Sequence, residues 1–370
     1  MTPAGPAVLK FGGSSFGSPA AYGELARALA DRLEAEERPL AVVVSAMPGE
    51  TERLRERLYE VDPQPADERV AGLLTLADTV SAQLLAAALH RLGRRATVLS
   101  GHQVGLTTDG TFMWARLEHI DPAPLRHALT GHEVVVVPGG QAVDDRGRPT
   151  WLGKNSSDLS AVAVAVALGA DRCEIHSDVE GIHSSDPNQV AGTRLLRQVS
   201  YAAAAAMSSH GAKVLHRRAV ALAQQHGVAI VCRHNRAPFT TGTVIGPVGG
   251  PADAVVLNLR STVLEYPGRR VADRAHEAFR SEGVDTVRLA DGPRVAVIGG
   301  YLDQAECQRR HGLVPGRVVG IPVIEVSGGR STVHVAADED AAVRLAQKLH
   351  DNLPTHLEPL LTRPSSGGHP

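Results

Sequence analysis

The stretch from Val134 to Leu168 constrains the fold of this chain more than any other. Its valine run, Val134 to Val137, stops at Pro138-Gly139-Gly140, and a short β-branched run of this kind is typical of a central strand in a parallel sheet. The segment from Leu159 to Leu168 is almost all Ala, Val and Leu, which predicts a helix buried on every side. Together they predict one β-α unit of an open α/β sheet.

The segment between this strand and this helix is polar, and residues 151–158 read WLGKNSSD. It lies just ahead of a helix N-terminus, where free backbone N–H groups attract anions, and Lys154 adds a full positive charge. The alternative is an ordinary surface loop in which Ser157 or Asp158 only caps the helix. Taken by itself, the segment favours this second interpretation.

The composition narrows the class of protein. A chain of 370 residues that is 43% hydrophobic and 21% charged is globular and long enough for two domains. A formal net charge of −2 gives no reason to expect nucleic acid or an anionic membrane as partner. Three widely separated cysteines argue against a zinc site or disulfide framework, and no uninterrupted apolar run reaches the roughly 18 residues of a membrane span. These features predict a cytoplasmic protein.

Polar loops follow other predicted strands as well. The strand Ala7 to Leu9 runs into residues 10–15, KFGGSS, where two glycines allow close backbone approach and Lys10 can neutralise phosphate oxygens. It is not a Walker A loop, because the lysine precedes the glycines. The strand Leu40 to Val44 ends in SAMPGET (45–51), and the strand Cys173 to His176 ends in SDVEGIHSSDP (177–187). Ligands of open α/β sheets sit at the carboxyl ends of the strands, so these loops predict one common site.

These motifs resemble the aspartate kinase family of the amino acid kinase superfamily. The matching segments occur in the family's order, as KFGGSS (10–15), VSAM (44–47) with Thr51, LGK (152–154) through Ser157 and Asp158, SDVEG (177–181), SDP (185–187) and GAKVLH (211–216). They span about residues 7 to 246. The resemblance implies an α/β fold, a three-layer αβα sandwich with a mostly parallel central sheet, as a catalytic domain over residues 1–247.

The resemblance also implies a reaction, the transfer of a phosphoryl group from ATP to the side-chain carboxylate of L-aspartate, which gives 4-phospho-L-aspartate. Lys10 and Lys213 would flank the transferred group and Asp158 would orient the lysines. Mg²⁺ would bridge phosphate oxygens, so no dedicated protein ligand for a metal is predicted. The implied substrate-binding residues are Ser14, Ser45, Thr51, Asp78, Lys154 and Ser157, and the implied nucleotide-binding residues are Gly12, Gly13, Ser177, Asp178, Gly181, Ile182, His183 and Asp186.

The chain departs from the family's pattern at four positions around the implied pocket. Lys154 replaces an arginine that grips the α-carboxylate of aspartate, which keeps the charge but loses the bidentate fork. Asp78 replaces a glutamate, Gly139-Gly140-Gln141 replaces Gly-Phe-Gln, and Asp186-Pro187-Asn188 replaces Asp-Pro-Arg. These changes leave two interpretations open, a different small amino acid as substrate or compensated drift around aspartate.

Residues 253–370 contain two weakly similar halves with a β-α-β pattern, and residues 246–251, GPVGGP, read as a linker. Placed after such a kinase domain, this α+β region resembles a degenerate pair of ACT regulatory modules, which implies a homodimer formed through it. The final residues, 362–370, are rich in Ser, Gly and Pro and are predicted to be disordered.

Two rival functions remain open from the sequence. One is a non-catalytic sensor of nucleotide or amino acid on the same fold. The other is a kinase for a carbamate, a phosphate or a nucleotide, as in other branches of the superfamily. The loop from Ser45 to Thr51 and the C-terminal modules count against the second.

Overall fold

The structure is a computed structural model that describes residues 5–212, 215–249, 252–299 and 303–354. Strands and helices alternate through the first two thirds of the chain. The strands are β1 (Ala7–Phe11), β2 (Leu40–Val44), β3 (Ala96–Val98), β4 (Leu106–Thr108), β5 (Leu117–Ile120), β6 (Val134–Pro138), β7 (Gln141–Val143), β8 (Pro149–Trp151), β9 (Arg172–Ser177), β10 (Gln198–Ser200), β11 (Ala229–His234), β12 (Thr241–Gly246), β13 (Ala254–Leu257), β14 (Thr262–Glu265), β15 (Thr286–Arg288), β16 (Arg294–Val297), β17 (Arg317–Ser327) and β18 (Arg330–Ala336). The helices are α1 (Pro19–Glu36), α2 (Glu50–Val61), α3 (Asp67–Arg91), α4 (Ala123–Gly131), α5 (Ser157–Leu168), α6 (Tyr201–Ser209), α7 (Arg217–His226), α8 (Arg269–Ser281), α9 (Gln304–Arg310) and α10 (Glu339–Asp351).

The central sheet of the first domain has the order β10-β12-β11-β9-β1-β2-β6-β3 within the described residues. Neighbouring strands are parallel except β11 and β12, which are antiparallel. The valine run forms β6, which lies beside β2 and is fully buried. The prediction of a mostly parallel sheet is therefore confirmed.

Alternate residues of the central strands pack into two different cores, because successive side chains of a strand point to opposite faces. Val43 and Val135 share a cluster with the apolar residues of α5, whose side chains are almost all buried. Leu9, Val42 and Val136 share the other cluster with side chains of α1 and α3. Helices therefore cover both faces of the sheet, which confirms the three-layer αβα sandwich.

Helix α3 bears on the expectation that no segment suits a membrane. Among the described residues it is long and apolar enough to cross a bilayer by length and composition. Its Leu74, Leu85 and Leu89 are fully buried, and the helix packs along α1 and β6. It is therefore a core helix of this domain.

A small second sheet, with the order β5-β4-β7-β8, lies beside the central one and was not predicted. Its strands have three or four residues each, too few for a hydrophobic period to show in the sequence. The buried hydroxyls of Thr108 and Thr150 lie 2.8 Å apart inside it. Strand β8 leads directly into the polar loop ahead of α5.

The C-terminal region is an α+β unit, as predicted. Its sheet has the order β13-β17-β14-β16-β15 with β18 paired to β17, and all the strand pairs are antiparallel. Helix α9 falls in a segment where no element was predicted. The predicted linker is only partly described, and the predicted disordered tail lies outside the described residues. The domain boundaries at 247 and 253 stay predictions.

Candidate active site

The polar loops at the strand ends are joined by backbone hydrogen bonds. The N–H of Gly12, after β1, donates to the carbonyl of His176 in β9 at 3.3 Å. The N–H of Ser45, after β2, donates to the carbonyl of Phe11 at 3.1 Å, and the N–H of Gly139, after β6, donates to Val44 at 2.8 Å. The carboxyl ends of four adjacent strands therefore form one continuous edge, where the sequence predicted the site.

An ion pair lies at the centre of this edge. Lys10 Nζ, near the end of β1, lies 2.7 Å from Asp158 Oδ1, in the first turn of α5. Both residues are buried, with 8% and 6% of their surfaces exposed. The other carboxylate oxygen of Asp158 accepts a hydrogen bond from the His216 N–H at 3.1 Å. The structure thus brings Lys10 and Asp158 into contact, while their catalytic roles stay predictions and Lys213 lies outside the described residues.

The start of α5 carries the next predicted residue, Ser157. Its hydroxyl accepts a hydrogen bond from the Ser45 hydroxyl at 2.9 Å. An ideally placed Cβ on Gly139 would lie only 2.5 Å from the Ser157 Cβ, so this close approach of β6 to α5 requires glycine. Ser156, not Ser157 or Asp158, occupies the N-cap position, and its hydroxyl donates to the Gly153 carbonyl at 2.5 Å. The interpretation of Ser157 and Asp158 as ordinary caps is therefore wrong.

Asp78 lies on α3 and faces the loop that follows β2. Its Oδ1 accepts a hydrogen bond from the Ala46 N–H at 2.9 Å. Burial raises the pKa of this carboxyl from 3.8 to about 7, although the backbone hydrogen bonds and the nearby Lys10 act to lower it. A helical aspartate that the sequence alone would place in solvent is therefore a group of this site that titrates near neutrality.

Replacing Asp78 by asparagine is expected to stabilise the fold at pH 8. The folded-state pKa of Asp78 is raised, so the folded chain keeps a proton that the unfolded chain releases, and stability falls as pH rises from about 4 to about 7. The Asp78→Asn variant does not ionise, so at pH 8 its free energy of unfolding is expected to exceed that of the wild type by on the order of 1–2 kcal/mol. Its amide oxygen can still accept the Ala46 N–H. Thermal unfolding of both proteins from pH 4 to 8 measures the effect. A stability gain that does not grow with pH, or an equal gain in Asp31→Asn on the exposed face of α1, would contradict this expectation.

Lys154 forms an ion pair that the sequence did not predict. Its Nζ lies 3.5 Å from Oε1 of Glu52, which is on α2 next to Thr51. Both side chains are 39–50% exposed, so the pair itself adds little stability. The pair does bring the loop ahead of α5 and the start of α2 to the same side of the site. Thr51 lies in the first turn of α2 and is half-buried.

The predicted nucleotide loop begins beside the glycine turn. The Ser177 hydroxyl donates to the Val179 carbonyl at 2.6 Å, and the Ile182 N–H donates to the Thr243 hydroxyl at 2.8 Å. A Cβ on Gly181 would lie 2.3 Å from Thr243 Oγ1, so only glycine fits there. Asp178 is exposed at the loop surface. The loop is thus fixed by its own hydrogen bonds and by β12.

The far end of the same loop is held against the C-terminal region. His183 pairs with Leu195, and the Ser184 carbonyl accepts a hydrogen bond from the Val255 N–H of β13 at 2.8 Å. The Asp186 carboxylate accepts hydrogen bonds from the Asn188 N–H and side-chain amide at 3.0 and 3.1 Å. No described contact joins Asp186 to the Lys10–Asp158 pair, so its role at the nucleotide stays a prediction.

Asn235 connects the two loops and was missed from the sequence. Its N–H donates to the Ser177 carbonyl at 2.8 Å, and its side-chain amide donates to the hydroxyls of Ser14 and Ser15 at 3.3 and 3.2 Å. It follows the end of β11, so the rule that polar residues after parallel strands form the site would have identified it.

The comparisons with known proteins agree with this fold. The amino acid kinase family matches residues 6–234 of the chain. The aspartokinase of Thermus thermophilus is 38% identical over 251 residues, which cover 67% of this chain and 61% of that protein, and the aspartokinase of Helicobacter pylori is 37% identical over 238 residues, covering 64% and 58%. The chain thus matches about three fifths of the length of these relatives.

Solved structures of aspartate kinases are similar to this chain over more of its length. The aspartate kinase of Synechocystis is 26% identical, with a TM-score of 0.57 over 88% of this chain and 60% of that one. Aspartokinase III of E. coli, solved in complex with aspartate and ADP, has a TM-score of 0.69 at 20% identity and covers 94% of this chain and 99% of that one, which shows a shared fold.

This fold and site define a class of structure, a three-layer α/β domain with a lysine–aspartate pair among glycine and serine loops. The chain belongs to the amino acid kinase family. Within that family its sequence and fold are similar to those of aspartokinases, as the resemblance in the motifs indicated.

Proposed function

We propose that the protein is an ATP-dependent kinase that phosphorylates the side-chain carboxylate of L-aspartate. The observation that supports this most directly is the buried Lys10–Asp158 pair at the strand edge, with Ser45, Ser157 and Asp78 around it. Aspartokinases are the relatives on which the comparisons agree, and one of them was solved with aspartate and ADP.

The residues of the edge have complementary roles in this proposal. A carboxylate oxygen of aspartate attacks the γ-phosphorus of ATP, the bond from that phosphorus to the bridging oxygen breaks, and ADP leaves. Lys10 neutralises charge on the transferred group, and the backbone N–H of Gly13 would donate to the phosphates, while the Gly12 N–H is held by the His176 carbonyl and keeps the turn in place. Lys213, predicted to flank the same group from the other side, completes the proposed catalytic set. Ser177, Asp178, Gly181, Ile182 and His183 are proposed to hold the nucleotide.

Mg²⁺ is proposed to enter as part of the MgATP substrate. Both carboxylate oxygens of Asp158 already have partners, one in Lys10 and the other in the His216 N–H. This donor set fits an ion that is held mainly by phosphate oxygens, as is usual for Mg²⁺ at nucleotides. Mg²⁺ would withdraw negative charge from the phosphoryl oxygens there.

The amino acid is proposed to bind between α3 and the loop ahead of α5. Asp78 would accept the α-ammonium group of the substrate, and Lys154 would attract its α-carboxylate, with Ser14, Thr51 and Ser157 nearby. The observed pairing of Lys154 with Glu52 supports a competition in which the substrate carboxylate displaces Glu52. Lysine offers a single charged point where a guanidinium would offer a fork, so recognition of this carboxylate is looser.

The proposed reaction is tested by ADP release from MgATP with hydroxylamine present, which traps an acyl phosphate as a hydroxamate. L-aspartate and its close analogues are offered separately. We expect hydroxamate in step with ADP on L-aspartate. Turnover on an analogue alone would assign the enzyme to a different small amino acid, and ADP and amino acid binding without any turnover would indicate a sensor. ADP release with phosphate, carbamate or nucleotide acceptors only would refute the proposal.

We also propose a cytoplasmic homodimer formed through the C-terminal region. The antiparallel α+β sheet that follows the kinase domain, and that resembles the paired ACT modules, supports this proposal. Light scattering of the purified chain measures the mass directly. A monomer at micromolar concentration would contradict the dimer.

A further inference from the structure

The half-buried side chain of Trp114 lies between two glycines from different parts of the molecule. An ideally placed Cβ on Gly153 would lie 2.4 Å from Trp114 Cε3, and one on Gly283 would lie 2.4 Å from Trp114 Cδ2. No side chain fits at either point, so the indole rests directly on both backbones. Gly153 is in the loop ahead of α5, and Gly283 follows α8 in the C-terminal region.

The glycine on the kinase side belongs to the loop that places the proposed acceptor site. Gly153 has a φ of 105° and immediately precedes Lys154. Its carbonyl accepts the Ser156 hydroxyl at 2.5 Å, and Ser157 and Asp158 follow. Arg218 of α7 ties the two neighbouring segments together, since its guanidinium donates to the carbonyls of Leu152 and Ala115. A shift of Trp114 would therefore move Gly153, and Lys154 is the next residue of the loop.

The glycine on the other side is anchored to the same catalytic edge by a second route. Asp285, two residues after Gly283, pairs with Arg217 at 3.1 Å, and Arg217 is the first residue of α7. The preceding residue is His216, whose N–H donates to Asp158. The C-terminal region thus reaches both segments next to Asp158. Gly283 packs on Trp114, which packs on the loop ahead of α5, and Asp285 pairs with Arg217, the residue after His216.

We propose that Trp114 is a positioning residue, which acts as a wedge between Gly283 of the C-terminal region and Gly153 and thereby sets where Lys154 and Ser157 meet the amino acid. The inference rests on the proposed acceptor site. It predicts that the contact at Gly283, far along the chain from any substrate-binding residue, controls the KM for the amino acid. Nucleotide binding involves other loops and changes little.

Gly283→Ala is the direct test, and the chain offers a matched control. Gly283 and Gly312 both follow a helix of the C-terminal region with left-handed backbones, at φ 76° and 60°, but no atom lies within 4 Å of a Cβ placed on Gly312. Both variants therefore suffer similar backbone strain, and only Gly283→Ala pushes on Trp114. We expect the KM for the amino acid to rise at least about tenfold in Gly283→Ala, with the KM for MgATP within about twofold, and both constants to stay near wild type in Gly312→Ala.

A second pair of variants separates positioning from loss of structure. The atoms that a Cβ on Gly283 would meet first, Trp114 Cδ2 and Cγ, are both removed in Trp114→Ala, so the KM of the double variant Trp114→Ala/Gly283→Ala is expected to match that of Trp114→Ala alone. Trp114→Ala by itself is expected to raise the KM for the amino acid, because the indole no longer holds Gly153 in place. Equal effects of Gly283→Ala and Gly312→Ala, or a further rise in KM from Trp114→Ala to the double variant, would overturn the inference while the wild type remains active. A wild type with no acceptor at all would refute the proposed function instead.

Discussion

Replacing Lys10 by alanine is expected to lower kcat by about 1,000-fold, the size of effect seen when one group that stabilises transition-state charge is removed. Lys10 is the one cation that the described residues place against Asp158, at 2.7 Å, and it lies on the strand that leads into Gly12 and Gly13. Its loss leaves the transferred phosphoryl group without that charge. Steady-state ADP release at saturating MgATP and amino acid measures the change.

The same variant leaves the Asp158 carboxylate buried and unpaired, which costs on the order of 3–5 kcal/mol of stability. The double variant Lys10→Ala/Asp158→Asn removes that uncompensated charge, so it is expected to unfold closer to the wild-type temperature and to stay inactive. Lys348→Ala, at an exposed position on α10, is the matched control and should retain activity. Near wild-type turnover in either Lys10 variant would exclude Lys10 from the reaction.

Replacing Glu174 by glutamine is expected to destabilise the fold by about 3–5 kcal/mol at neutral pH, because a buried carboxylate with two cationic partners is lost. Glu174, on β9, is 4% exposed and accepts both guanidinium N–H groups of Arg32 at 2.7 and 2.8 Å. The guanidinium of Arg233 lies 2.9 Å from the same carboxylate. Without its charge, Arg32 keeps its ion pair with Glu36 at 2.8 Å, but Arg233 loses the carboxylate that it faces.

The pH dependence of this effect has a definite sign. Burial acts to raise the pKa of Glu174, but the hydrogen bonds and charge of Arg32 outweigh it and hold the pKa below its ordinary value of 4.5. The stabilisation is therefore full above that value and is lost as pH falls through the depressed folded-state pKa. Urea unfolding at pH 7 and in acid should show the gap between wild type and Glu174→Gln closing in acid. Glu60→Gln on exposed α2 controls for the substitution, and an equal loss there would contradict the account.

The ionic cluster of Glu174, Arg32 and Arg233 also bears on the site, because Glu174 is on β9, the strand whose His176 holds the glycine turn. His176, two residues after Glu174, is fully buried and stacks on Phe11 with ring centroids 4.3 Å apart. Burial lowers the pKa of His176 to about 3, so its ring is neutral at physiological pH. Its carbonyl accepts the Gly12 N–H. The cluster thus fixes the strands that precede the glycine turn at Gly12 and Gly13.

Much of the first domain was predictable because its strands and helices have strong local signatures. The valine run forms β6, the Ala-Val-Leu segment forms α5, and the polar loops after β1, β2 and β9 meet at one edge. Parallel strands bring their carboxyl ends together whatever their distance along the chain, so the rule worked without any knowledge of side-chain contacts.

The parts that could not be predicted depend on pairs of residues far apart in sequence. Glu52 pairs with Lys154, and Arg32 with Glu174, across 102 and 142 positions. The burial that moves the pKa of Asp78 comes from helix packing, whereas helical spacing alone places an aspartate there in solvent.

Local sequence patterns were enough to establish the class of fold, the order of the central elements and the segments that carry Lys10 and Asp158, because hydrophobic period and glycine placement act over a few residues. The position of Trp114 between Gly153 and Gly283 became known from the folded chain alone. That contact depends on how two domains pack, and no local pattern encodes the distance between surfaces more than a hundred residues apart.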